Sequence, residues 1–401
     1  TPAEEAVELV VLERLRATPR LLEAVAACSE AERRSQKQLR MHFDAELVRA
    51  AVALHEARQR AAGRFPEADR LWLTRIGVEQ ATAWPVARHK ARRLAGCGRV
   101  ADLCCGVGSD TAALSQLADV LAVDRSPTML RRAEWNTAVL GQPRQFSGAV
   151  ADVTGRAWTD WFVHADPDRR AGRDRPVRRL ADYQPGLAWL RQLLATARGG
   201  GIKLGPASDW PQQFGRTGGC EVALMSLSGE CREATLWFGA LAGTTPRRAT
   251  NVGSGETLAG DPTAATRRVA AGLGAFLVEP DPAVIRAGLV DLLAEQHELG
   301  RTAADEDYLT GPTLPATSLA ASFRIDEVLP AGLKPLRQAL RRQPRQSYEI
   351  KCRRLKVDVE AVRRQLPLGD GSPAVIIFCR VAGHGRAILA QRGPHPSERL
   401  P

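Results

Sequence analysis

From Arg99 onward, short apolar runs that stop at Gly or Asp alternate with segments of helical texture, a rhythm that points to βαβ units building a parallel sheet. The runs are Val100 to Cys105, Val120 to Val123, Ala149 to Val153, Trp161 to Ala165 and Ile202 to Leu204. Glu221 to Leu227 and Ala234 to Phe238 then flank Ser228-Gly229-Glu230, which predicts a closing antiparallel hairpin. Ahead of the sheet, residues 1–95 are rich in Ala, Leu, Glu and Arg. Apolar residues recur there at helical spacing, as in Leu47, Ala51 and Leu54, so this region is expected to be helical. Residues 241–265 read as loop or linker, and Pro282 to Gln296 as one helix. Strands over Ser347 to Leu355 and Ala374 to Val381, around a helix over Asp358 to Gln365, make a small α+β module. The expected divisions are a helical region over 1–95, an α/β sheet domain over 96–245, a linker and small helical or α+β segment over 246–320, and a basic α+β module over 321–401.

Hydrophobic content of 44% with 25% charged residues belongs to a soluble globular chain, and no apolar run approaches the ~18 residues of a membrane span. No membrane partner is expected. The opening Thr1-Pro2-Ala3-Glu4-Glu5 has neither the basic start nor the apolar stretch of a signal peptide, and the eight scattered cysteines suit a reducing compartment. Both observations predict a cytoplasmic location. The cysteines form no CxxC pair and the seven histidines no spaced cluster, so no metal site is expected. A formal net charge of +11 favours polyanions, and it is uneven. Lys334 to Arg364 holds eleven Lys and Arg against Glu349, Asp358 and Glu360, a local excess of +8.

The chemistry concentrates where the first run ends. In Asp102-Leu103-Cys104-Cys105-Gly106-Val107-Gly108-Ser109-Asp110 a strand enters a glycine turn and then a helix. Gly106 and Gly108 let the backbone bend sharply and approach a ligand, and the helix start presents free N–H groups. A dinucleotide fingerprint would want a third glycine at position 111, where the chain has Thr, and a diphosphate would be repelled by Asp102 and Asp110. A ligand with cationic centres would be attracted. S-adenosylmethionine carries a sulfonium and an ammonium, and its ribose hydroxyls need a carboxylate. Asp124, eighteen residues after Gly106 at the end of the second run, can accept both hydroxyls. Asp152 ends the third run and can reach the adenine amino group while Val153 packs on the ring; Asp166 ends the fourth. Each Asp alone could be a helix cap; their recurrence at successive strand ends, where open α/β sheets bind ligands, is the stronger signal. The predicted cofactor contacts are Asp102, Cys104, Gly106, Gly108, Asp124, Arg125, Asp152 and Val153, with Cys104 and Cys105 read as packing residues rather than nucleophiles.

Asp102-Leu103-Cys104-Cys105-Gly106-Val107-Gly108 resembles motif I of class I methyltransferases, especially relatives of the RNA cap guanosine-N2 enzymes. Together with Glu79-Gln80-Ala81-Thr82, Asp166-Pro167-Asp168-Arg169-Arg170 and the region from Tyr348-Glu349-Ile350-Lys351 to Arg392, it is similar to bacterial methyltransferases with a C-terminal THUMP-like domain, over roughly residues 70–395. The resemblance implies an α/β Rossmann-like sheet of seven strands, mostly parallel with a terminal antiparallel hairpin, S-adenosylmethionine as donor, and a THUMP-like module suited to RNA. It also implies that the Gln80 and Thr82 segment closes over the cofactor, although Thr82 reads equally as a helix cap.

In N-methyltransferases of this class an Asp/Asn-Pro-Pro-aromatic motif orients an exocyclic amine, so Asp166 and Pro167 are the expected catalytic residues. Asp168 stands in place of the second proline and Arg169 in place of the aromatic. The Asp-Pro-Pro-Arg turn of uridine C5 enzymes is also similar, but neither Cys220 nor Cys231 sits in the motif of their nucleophile. Arg169, Arg173 and Arg175 belong to a run of six arginines between Arg169 and Arg179 and, with Lys351, Arg353 and Arg354, are expected to meet RNA phosphates. Lys203 could reach the pocket, although a strand-end lysine is more often simply solvated, and His164 reads as structural. The leading expectation is methylation of an RNA base, in rRNA or tRNA. A small-molecule or protein methyltransferase and a non-catalytic RNA-binding protein that retains the cofactor fold remain alternatives.

Overall fold

The computed structural model describes residues 2–141, 145–170, 177–214 and 218–393. The chain forms two compact units, Thr1–Glu221 with Glu233–Gly243, and Val222–Arg232 with Thr244–Pro401.

In the first unit, helices Pro2–Arg16, Pro19–Ala27 and Ala45–Ala61 bury one apolar face each, with Leu12, Leu21, Val48, Ala51 and Leu54 inward. Asp44 caps the third through the Glu46 and Leu47 amides. Their core is continuous with that of the sheet domain, because Val107 and Trp135 belong to the same cluster. Asn136 fixes the junction: its side chain bonds the backbone of Trp72 in both directions, at 2.6 and 3.0 Å, and the Val107 carbonyl at 2.8 Å. Trp72 and Trp135 meet edge to face beside it, with ring centroids 4.8 Å apart.

The strands that follow are β1 (Arg99–Leu103), β2 (Asp119–Asp124), β3 (Gln145–Val150), β4 (Phe162–Ala165), β5 (Gly199–Leu204), β6 (Cys220–Leu227) and β7 (Glu230–Gly239). They run in the order β3-β2-β1-β4-β5-β7, parallel except that β7 opposes β5, and β6 is the other arm of the β7 hairpin. Leu103 is level with both Val123 and Ala165, so the loops after β1, β2 and β4 emerge along one edge. β3 begins four residues before the apolar run that announced it. As an edge strand it is only half covered, so its first residues need not be apolar.

In the second unit, β8 (Arg247–Asn251) and β9 (Thr257–Gly260) replace the loop expected over 241–265, pairing parallel to β6 and antiparallel to β8. The single helix expected over Pro282 to Gln296 is two, Pro282–Ala287 and Val290–Gln296, separated where Gly288 turns left-handed at φ +75°. A second sheet has the order β11-β12-β10-β13-β16-β15-β14, from β10 (Phe276–Pro280), β11 (Gly300–Arg301), β12 (Leu309–Gly311), β13 (Ala320–Pro330), β14 (Tyr348–Cys352), β15 (Ala374–Val381) and β16 (His384–Arg392). Its alternation separates two cores. Ala374, Ile376 and Phe378 face helix Leu333–Arg342, whereas Val375, Ile377 and Cys379 face Tyr308 and Phe323. Among the described residues, no helix is long and apolar enough to cross a membrane.

Candidate active site

A cavity of about 920 Å³ opens at the edge where β1, β2 and β4 end. The glycine turn forms one side. Cys104, Gly106 and Gly108 all take positive φ, at 62°, 53° and 82°. Asp124 organises that turn by accepting from the Gly106 amide and the Ser126 amide, each at 2.9 Å. Burial raises its carboxyl above the ordinary aspartate value. Asp152 lies on the same wall, where the Thr154 hydroxyl and amide hold its carboxyl below that value. Arg125, Cys104 and the buried Val153 also line the cavity. Burial lifts the Cys104 and Cys105 thiols well above their usual range, with the Asp124 charge adding to it, which leaves them unsuited to act as nucleophiles.

Two of the expected cofactor contacts sit elsewhere. Asp102 is fully buried beneath the cavity, accepting from the Thr111 hydroxyl and lying 2.7 Å from His164 Nδ1. It sits inside β1, level with Ala122 of β2 and His164 of β4 and one residue short of the strand end, which takes it below the loop rather than to the rim. Gly108 is also absent from the lining among the described residues. Its lack of a side chain serves packing, since a Cβ there would stand 2.6 Å from Ala133 Cα.

Asp166 and Pro167 leave β4 into the opposite wall. Lys203 is not solvated: it is 3% exposed and donates to Asp166 Oδ2 at 2.7 Å and to the Gln80 carbonyl at 2.9 Å. Burial pushes the Asp166 carboxyl up, with Lys203 acting against the shift. Gln80 in turn donates to Asp168 at 2.9 Å, and Arg170 pairs with Glu79 at 2.7 Å, which joins the Glu79 to Thr82 segment to the loop after β4. Arg169 lines the cavity. Arg173 and Arg175 lie outside the described residues.

Below the cavity is a charged cluster that composition does not announce. Lys90, 2% exposed, contacts Asp110 at 2.9 Å, Glu233 at 2.6 Å and His164 Nε2 at 3.3 Å. Burial opposes its charge, yet Asp110 and Glu233 hold the ammonium above its ordinary value; burial likewise opposes Asp110, whose carboxyl Lys90 holds well below its own. Thr82 bridges Asp110 and Glu233 at 2.7 and 3.1 Å, a buried role beyond capping. A lysine on the face that carries Val86, Ala87 and Ala91 was the readable signal for this cluster. In the second unit, Lys351 pairs with Glu279 and Glu349 at 2.8 and 3.2 Å, Arg353 with Glu279 at 3.1 Å, and Arg354 with Asp307 at 3.0 Å.

Comparison with known proteins gives this geometry a family. Over 338 residues, 81% of this chain and 90% of theirs, the sequence is 38% identical to S-adenosylmethionine-dependent methyltransferases, named as uncharacterized, of Mycobacterium tuberculosis strains CDC 1551 and H37Rv. The chain belongs to the S-adenosylmethionine-dependent methyltransferases. Residues 320–392 of this methyltransferase match the THUMP domain-like family. A solved methyltransferase structure from Porphyromonas gingivalis W83 has the same fold, with a TM-score of 0.75 at 17% identity, covering 95% of this chain and 99% of that one.

The cofactor is S-adenosylmethionine, and the methyltransferase cavity fits it. Seven carboxylates (Glu5, Glu8, Asp110, Asp124, Asp152, Asp166 and Asp168) line it against three guanidiniums, those of Arg75, Arg125 and Arg169. That balance suits a ligand with sulfonium and ammonium centres. Ala151, Val153 and Met129 supply apolar surface for a ring.

Proposed function

We propose that this methyltransferase is a cytoplasmic enzyme that methylates a base of RNA captured by its C-terminal THUMP-like module. The observation that carries the reading is that Asp166, held by Lys203, lines the same cavity as Asp124.

In this reading Asp124 accepts from the ribose hydroxyls of S-adenosylmethionine, Asp152 from the adenine amino group, and Val153 packs on the adenine. Cys104 and Gly106 supply the close-approaching backbone of the turn, and Arg125 closes the rim. When bound, the cofactor supplies an electrophilic methyl group on its sulfonium. Asp166 and the Pro167 carbonyl accept hydrogen bonds from an exocyclic amine and so fix the direction of its lone pair, which makes catalysis largely a matter of orientation. Lys203 and Gln80 keep the Asp166 and Asp168 carboxylates in place for that task. Arg169 offers a planar cation to a base or a phosphate, and in the sequence Arg173 and Arg175 continue the same arginine run.

The test is transfer of tritium from labelled S-adenosylmethionine into RNA from cells lacking the gene. Label in one RNA fraction supports the reading, and no label in any RNA fraction rejects it. One observation favours a small-molecule or protein acceptor: among the described residues lining the cavity there is no Phe, Tyr or Trp on which a base could stack. That alternative expects the tritium in the acid-soluble or protein fraction.

A further inference from the structure

The eleven cations between Lys334 and Arg364 separate into two sets once the second sheet is formed. On β14, Tyr348, Ile350 and Cys352 point into the core under helix Leu333–Arg342, so Glu349 and Lys351 point to the opposite face. There Lys351 and Arg353 share Glu279, and Lys351 also meets Glu349. Arg342, Arg345, Arg354 and Arg363 have carboxylate partners of their own, in Glu327, Asp326, Asp307 and Glu360. A cation already matched by a carboxylate has given up much of its attraction for a phosphate.

The other set covers the helical side. Among the described residues, no carboxylate lies within ion-pair distance of Lys334, Arg337, Arg341, Lys356 or Arg364. In helix Leu333–Arg342, at 3.6 residues per turn, Lys334, Arg337 and Arg341 fall within an arc of about 60° and span about 10 Å of axis. The buried Leu336, Ala339 and Leu340 occupy the opposite side. Leu355, Val357 and Val362 pack into the same core as that helix, so the exposed Lys356 and Arg364 stand on the outer surface of the same layer.

We infer that the outer face of helix Leu333–Arg342, extended by Lys356 and Arg364, is the RNA-binding surface of this module, and that Lys351, Arg353 and Arg354 are structural cations of the sheet. The inference rests on the RNA reading above and assigns its contact surface. Charge complementarity identifies the partner: five cations on one layer, with no carboxylate partner among the described residues, meet a polyanionic backbone, whose contacts release counterions and make affinity fall with salt.

The experiment is fluorescence anisotropy with the full chain and a fluorescein-labelled 20-nucleotide single-stranded RNA, repeated at several salt concentrations. For Lys334→Gln/Arg337→Gln/Arg341→Gln, the slope of log affinity against log salt falls in magnitude by about 2, at about 0.7 per lost contact, and affinity at 0.1 M salt drops about 100-fold. A urea unfolding transition with the parent's midpoint and slope reports that this variant is folded. Glu279→Gln/Lys351→Gln/Arg353→Gln removes the strand cations with the carboxylate between them, and its slope stays within about 0.5 of the parent; should it not fold, the helix variant alone decides. A helix variant that binds with the parent slope overturns the inference and leaves the RNA reading standing. A parent chain that ignores RNA but binds phosphatidylserine vesicles overturns both.

Discussion

Lys90 is the residue that holds the buried charge cluster below the cavity together. It stands between Asp110 and Glu233, so Lys90→Met would leave two buried carboxylates without their cation. Breaking a buried pair in this way costs about 3 to 5 kcal/mol, and a urea titration should show a loss of that size with an unchanged slope. The Asp110 carboxyl is depressed, so the stability it contributes is complete above its ordinary value and disappears only as pH falls through the lower folded value. Acid unfolding that begins near pH 5 would therefore have another origin. Asp124 has the opposite sign. Its folded value is raised by burial, so it takes up a proton at higher pH than an ordinary aspartate. A ligand that needs the ionised carboxylate then binds less tightly as pH falls toward that raised value from neutrality. Calorimetry with S-adenosylmethionine between pH 7.5 and 5 should show the decline. Asp124→Ala should weaken binding at pH 7.5 by about 100-fold, the loss of two charge-assisted hydrogen bonds worth about 3 kcal/mol together. An affinity within threefold of the parent would remove Asp124 from the cofactor site.

The glycine turn shows why an element can be recognised in sequence while the work of its parts cannot. Gly106 and Gly108 both looked like close approaches to a ligand, yet they meet different neighbours. A Cβ on Gly106 enters open space, with nothing within 4 Å, at a position that lines the cavity. A Cβ on Gly108 strikes Ala133, in the helix behind β2. Gly108→Ala should thus lower stability by about 2 to 4 kcal/mol through overpacking and left-handed strain, whereas Gly106→Ala should cost about 1 kcal/mol and act mainly on S-adenosylmethionine affinity. Equal thermal shifts for the two would refute that distinction. The strand rhythm, the turn and the terminal hairpin were legible because a parallel sheet needs apolar runs and its ligand needs groups at their ends. β8 and β9 were not, since short strands of Arg, Thr, Ala and Gly have loop composition and gain their order from pairing, β8 with β6 and β9 with β8. Glu233 was hidden for a related reason: it reaches Lys90 across 143 residues of chain.

Charge in this molecule is sorted by depth. The chain carries +11 overall, yet seven of the ten charged side chains lining its cavity are acidic. Most cations face the solvent, where counterions screen them; Glu5, Asp110, Asp124, Asp166 and Asp168 of the cavity are partly or wholly buried, where screening is weak, while Glu8 and Asp152 are exposed. The two kinds of ligand should accordingly respond differently to salt. Raising monovalent salt from 50 to 300 mM should weaken binding of a single-stranded RNA by more than about 100-fold, if about five phosphate contacts are made. Over the same range S-adenosylmethionine, with a net charge near +1, should lose less than about threefold. ATP and NAD carry diphosphates into the same ring of carboxylates and should show no calorimetric binding at about 1 mM, because like charges in a partly desolvated site cost several kcal/mol. The decisive comparison is between the cofactor and the diphosphates at one salt concentration. If ATP bound as tightly as S-adenosylmethionine, the carboxylates at the strand ends would be serving the fold, and selectivity for a cationic ligand would have to come from contacts other than charge.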